Sequence, residues 1–111
     1  MPTREELYDQ GDQLKDQGNL EEAAAKFEEA LQVDADFALA HSALGVVYGK
    51  LGQHEKAVEH ARRVCELEPQ DPFSYTALSV IYQRAFAGTN NREYIALAEE
   101  AMDRARMAQG G

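Results

Sequence analysis

The 111 residues are one domain's worth of chain, and with 44% hydrophobic and 28% charged residues they have the composition of a chain that folds rather than stays disordered. Twenty acidic against eleven basic residues give a net charge of −9, which argues against nucleic acid as a partner, since phosphate binding needs clustered Lys and Arg. No apolar run reaches the roughly 18 residues of a membrane span, and a single cysteine, Cys65, excludes an internal disulfide.

The opening residues, Met1 to Glu6, lack a basic and then apolar signal segment, and no Asn-x-Ser/Thr sequon occurs, so the expected location is cytoplasmic. A first helix begins after Thr3, which forms a capping-box pair with Glu6, and it carries Leu7, Gly11 and Leu14 at helical spacing. Gly18 marks the reversal after it, a place where a positive φ suits glycine. Asn19 with Glu22 reads as a second capping box, opening a helix with Ala23, Phe27, Ala30 and Leu31 on one face.

A third helix presents Leu44, Gly45 and Tyr48 and ends near Gly52; a fourth presents Ala57, Ala61, Val64 and Cys65. Asp71 before Pro72 supplies a cap and a first-turn proline for a fifth helix with Leu78, Ser79 and Tyr82. An insertion falls near 84–92. Either the fifth helix runs on by a turn to Gly88, or Phe86 folds back as a loop anchor; Asn90 with Glu93 is expected to cap the restart. The last helix, from about Glu93 to Ala108, places Tyr94, Leu97, Ala98, Ala101, Met102, Ala105 and Ala108 on one face. Glu99, Glu100, Asp103 and Arg106 form a polar outer face, as a terminal repeat requires for solubility.

These elements recur every 34 residues: Gly11 over Gly45, Gly18 over Gly52, Ala23 over Ala57 and Ala30 over Val64. A third copy places Leu78, Ser79 and Tyr82 under Leu44, Gly45 and Tyr48. Such a period denotes a helical repeat array. The expected boundaries are about 4–37, 38–71 and 72–108 within a single domain spanning 1–111. Gly11, Gly45 and Ser79 let the paired helices approach closely, and enlarging Gly45 is expected to overpack the hairpin.

On these residues the chain resembles the tetratricopeptide repeat family. The second copy carries the pattern as His41, Leu44-Gly45, Tyr48, Gly52, Ala57, Ala61, Val64 and Pro69. The first carries it as Leu7, Gly11, Leu14, Gly18, Ala23, Phe27, Ala30 and Ala35. The resemblance extends over about 4–105, with departures at Gln10, at Ser79 and in the missing Trp. It implies an all-α, right-handed superhelical array of three helical hairpins, an α-solenoid. Family members often carry an additional capping helix not seen here, which leaves self-association open.

Catalytic and metal chemistry finds no constellation. His54 and His60, six residues apart, lie on different helix faces, and HExxH, CxxC, GxGxxG and phosphate-loop motifs do not occur. Cys65 reads as a small buried hydrophobe and His41 as a core histidine. Adjacent carboxylate pairs such as Glu28-Glu29 diverge by about 100° on a helix and line solvated faces. No enzyme activity, metal or cofactor is expected.

The resemblance further implies a concave groove lined by the first helix of each repeat. The matching residues are Glu5, Tyr8, Asp12 and Lys15; Leu39, Ser42, Val46 and Lys50; and Phe73, Thr76, Val80, Gln83 and Arg84. Val46 and Val80 would give it an apolar middle, while Leu39 and Phe73 are open to a packing role instead. The family's clamp for acidic chaperone tails uses Lys, Asn and Arg where this chain has Tyr8, Asp12, Ala43, Phe73 and Ala77, so that ligand is disfavoured. The acidic excess sits in residues 1–37, with eleven acidic and three basic side chains, and either steers a basic partner or serves as a solvated face. The expected function is that of a non-catalytic protein-interaction module holding a peptide segment or helix in the groove. The alternative is a structural protein that self-associates through the groove or the last helix.

Overall fold

The computed structural model describes residues 1–110, so Gly111, the last residue of the expected array, lies outside it. Six helices and no strand occur among the described residues: α1 (Arg4–Asp16), α2 (Leu20–Val33), α3 (Ala38–Lys50), α4 (His54–Leu67), α5 (Pro72–Thr89) and α6 (Glu93–Gly110). They pair as the hairpins α1/α2, α3/α4 and α5/α6, and successive hairpins stack through α2 on α3 and α4 on α5. This is an all-α solenoid.

The helix ends follow from local chemistry. Thr3 Oγ1 accepts from Glu6 N at 3.1 Å while Glu6 Oε1 accepts from Thr3 N at 3.4 Å, completing the capping box. Gly18 and Gly52 adopt φ of +84° and +79°. Each lets the following amide reach back five residues, Asn19 N to Leu14 O and Gln53 N to Tyr48 O, both at 2.9 Å, which closes a Schellman turn. The same turn overturns the second expected capping box. Asn19 is held at ψ of 70°, away from the extended conformation that aims a capping oxygen, and its side chain makes no cap hydrogen bond. Asp71 accepts from Phe73 N at 3.0 Å with Pro72 in the first turn, as expected.

In the third hairpin α5 itself runs on, and Asn90 does not start α6. It ends α5 in the left-handed conformation, φ 61°, a state that Asn tolerates better than most residues. The capping role passes to Asn91, whose Oδ1 accepts from Glu93 N at 3.1 Å. Gly45 lies against Ala61, sixteen positions on, and Ser79 against Ala98, nineteen on, so α6 is shifted by three residues relative to α4.

Close approach is unequal among the small residues. A Cβ on Gly11 would lie 2.7 Å from the Phe27 ring, which is fully buried beneath α1. At Gly45 the nearest atom is Ala57 O at 3.6 Å, so the expected overpacking does not hold there for a single methyl: Ala61 is too small to fill the space that Phe27 fills in the first hairpin. Gly11→Ala is therefore expected to destabilise by about 1–2 kcal/mol, overpacking outweighing the gain in helix propensity. Gly45→Ala, with the gain alone, is expected to stabilise by up to about 1 kcal/mol. Opposite shifts of the urea midpoint are the check. At Ser79, buried like the glycines, the hydroxyl donates to Ala98 O at 2.9 Å, which lets a polar residue stand in a glycine position.

On the last helix Glu99, Glu100, Asp103 and Arg106 are exposed as expected, and two apolar residues join them in water, Ile95 at 41% exposure and Met107 further out.

Candidate functional site

α3 and α5 lie side by side because both pack on α4, and the small side chains Gly45 and Ala61 keep the surface between them hollow. The result is a cleft of about 520 Å³. Its floor is apolar, made by Gly45, Ala61, Val64 and Ile81, and its rim carries Glu68, Asp71 and Arg84. Leu39, Phe73 and Val80 stand around it 56%, 76% and 42% exposed, a cluster of large apolar side chains in water. Leu39 and Phe73 thus lie open rather than between helices.

Of the groove residues expected from sequence, Leu39, Ser42, Val46, Phe73, Val80 and Arg84 meet at this cleft. The others lie elsewhere. Tyr8 is half-buried, its ring 5.5 Å from Phe27 and 5.9 Å from Phe37, because the turn into α3 brings Phe37 over α1. Asp12 and Lys15 pair with each other at 3.1 Å, and the hydrogen bond to Asp12 raises the Lys15 ammonium above its ordinary value. Lys50 is exposed at the end of α3, and Glu5 pairs with Arg4 at 2.7 Å. The Thr76 hydroxyl donates to Pro72 O at 3.1 Å within its own helix. Gln83 turns towards α6, donating to Ser79 Oγ at 3.2 Å, so it does not line the cleft. The carboxylates of the acidic first repeat are partly engaged as well, Asp34 by Arg4 and Asp36 by Arg63.

Sequence reasoning missed one polar cluster, between the first and second hairpins. His41 Nε2 donates to Ala35 O at 2.8 Å, since a carbonyl only accepts, which leaves His41 Nδ1 to accept from His60 Nδ1 at 2.9 Å. In neutral His60 the remaining Nε2 then bears a lone pair. It faces Glu28 Oε1 at 3.4 Å without donating, and that buried oxygen has no hydrogen-bond partner. Burial, with the His41 ring and the Lys56 cation alongside, pushes His60 down to about 4. The one available signal was the 34-residue offset: His41 stands where the third copy has Tyr75, whose hydroxyl donates to Pro69 O at 2.9 Å in the same way.

Cys65 is buried and its thiol is pushed up to about 11 by that burial, which leaves no thiolate for nucleophilic chemistry at neutral pH. Among the described residues no group of three or more His, Cys, Asp or Glu is arranged to hold a metal ion, and no helix is long and apolar enough to cross a membrane.

The repeat is independently matched. A TPR repeat family model matches residues 11–52, and a tetratricopeptide repeat model matches residues 38–71, together more than half of the chain. The chain belongs to the tetratricopeptide repeat family. Repeats of this family are protein-interaction modules. This tetratricopeptide chain is 33% identical over 94 residues to the CTR9 homologue of Arabidopsis thaliana, covering 85% of the chain and 8% of that relative. It is 31% identical over 84 residues to anaphase-promoting complex subunit 3 of Schizosaccharomyces pombe, covering 75% and 13%. Over 52 residues it is 46% identical to a probable UDP-N-acetylglucosamine–peptide N-acetylglucosaminyltransferase, SPINDLY, of Oryza sativa subsp. japonica, covering 47% and 6%. The chain thus spans only a small fraction of the length of these relatives. Among solved structures the crystal structure of MamA superposes with a TM-score of 0.83 at 19% identity, covering 97% of this chain and 59% of that one, a likeness of fold.

Proposed function

We propose that this tetratricopeptide chain is a non-catalytic interaction module that takes an apolar segment of a protein partner, a peptide or one face of a helix, in the cleft between α3 and α5. The observation that carries this reading is the cluster of Leu39, Phe73 and Val80, large apolar side chains left in water around a hollow whose floor is also apolar. Burying them supplies binding free energy of about 25 cal/mol per Å² of apolar surface covered. The hollow would receive one or two aliphatic anchors, while Arg84 and the pair Glu68 and Asp71 at the rim set direction through charge. The name of the fission-yeast relative, a subunit of the anaphase-promoting complex, is consistent with a place in a multiprotein assembly.

The test is affinity capture with wild type and a Val46→Glu/Val80→Glu variant matched for helicity, followed by titration of the recovered partner. Two carboxylates in the cleft are expected to weaken binding by about 100-fold or more, since Arg84 at the rim can pair with only one of them and the other would have to be buried without a counter-ion. Equal affinity for both proteins sinks the reading.

A further inference from the structure

The two ends of the array differ in chemistry. Each second helix of a hairpin has a face that the next hairpin covers: Ala24 and Leu31 on α2, Val58 and Cys65 on α4. With the three-residue shift, the same face of α6 carries Ile95 and Met102, and no further helix lies over it among the described residues. A cleft of about 570 Å³ opens there, lined by Phe86 of α5 and by Ile95, Glu99, Met102, Asp103 and Arg106 of α6. At the opposite end α1 shows Glu6, Gln10 and Gln13 to solvent, where the next two repeats place Ala40, Leu44 and Val47 and then Ser74, Leu78 and Ile81, all buried. The α1 end is built for water; the α6 end keeps the apolar character of an internal junction.

This asymmetry selects the occupant. Head-to-tail stacking would press the amides of Gln10 and Gln13 onto Ile95 and Met102, burying polar groups without partners, and such a contact does not close on itself. We propose that the α6 end is a homodimer interface, with α6 packed antiparallel on α6 of a second copy about a two-fold axis near Met102. The charges fit that operator. Glu99 lies three residues before Met102 and Arg106, whose guanidinium pairs with Asp103 of its own helix, four after it, so antiparallel pairing sets Glu99 of each copy opposite the Arg106–Asp103 pair of the other, twice over, where Arg106 can bridge both carboxylates. The two α5/α6 hairpins would then form a four-helix layer with Ile95 and Met102 inside it.

Sedimentation equilibrium of the 111-residue chain over a concentration series tests this. Wild type is expected to show twice the mass of one chain at high concentration and to dissociate on dilution. Met102→Glu is expected to remain a monomer. Glu99→Arg and Arg106→Glu should each raise the dimer Kd about tenfold or more, and the double charge swap should restore it, a readout that loss of folding cannot imitate. A wild type that stays monomeric at every concentration overturns the proposal and leaves the face to an added helix or a different protein. So does a dimer indifferent to Met102→Glu and to both charge reversals, and so does an open-ended polymer.

Discussion

Phe27→Ala is expected to lower the unfolding free energy by about 3–5 kcal/mol, a large share of the 5–15 kcal/mol that holds a domain of this kind folded. Phe27 is fully buried, it fills the space that Gly11 leaves on α1, and Tyr8 packs against its ring. No neighbour can collapse into the hole without pulling α1 towards α2, because Gly11 has no side chain to extend. The check is urea unfolding followed by helicity. The pair is also coupled: Gly11→Ala should cost much less in the Phe27→Ala background, where the methyl enters a cavity, than in wild type. Additive losses in the double mutant, or a loss at Phe27 below about 1 kcal/mol, would show that the ring does not hold the first hairpin together.

The second large effect concerns pH. In the folded chain His60 takes a proton only near about 4, against 6.5 for an ordinary histidine such as it becomes on unfolding. Below pH 6.5 the unfolded state therefore holds more protons than the folded one, and the stability associated with neutral His60 is present above 6.5 and lost as the pH falls towards 4. Because the ring keeps some contact with solvent, the expected loss is about 2 kcal/mol rather than the full value of the shift. The third hairpin provides the control. There the positions of His41 and His60 hold Tyr75 and, with the three-residue shift, Leu97, and Tyr75 anchors itself to Pro69 O without any titrating group. The variant His41→Tyr/His60→Leu should fold and should lose less stability between pH 6.5 and 4 than wild type. A His60 ring that titrates near 6.5 by NMR, or two parallel pH profiles, would refute this account.

Gly18, Gly52, the Thr3 capping box and the Asp71-Pro72 start depended only on residues within a few positions of one another, so the sequence alone placed them, and the 34-residue period then gave the hairpins and their order. Asn19 and Asn90 misled for a related reason: each stands next to a helix end whose geometry takes over its backbone, one by a Schellman turn and one by the left-handed cap. The cleft was half legible. The resemblance to the family pointed to Val46 and Val80, but whether Tyr8 and Gln83 faced it depended on Phe37 and Ser79, which reach them across a turn or along the helix.

What the sequence by itself determined was the repeat, the helix ends set by Thr3, Gly18, Gly52 and Asp71, and the absence of motif chemistry, because these rest on local hydrogen bonding, backbone preference and spacing. The tertiary structure alone decided that Gly11 and not Gly45 is tightly filled, that His60 meets both His41 and Glu28, and that Ile95 stands exposed beside the half-buried Met102. Those outcomes depend on which side chain arrives from another helix, and no period within one helix encodes the neighbour's volume or charge.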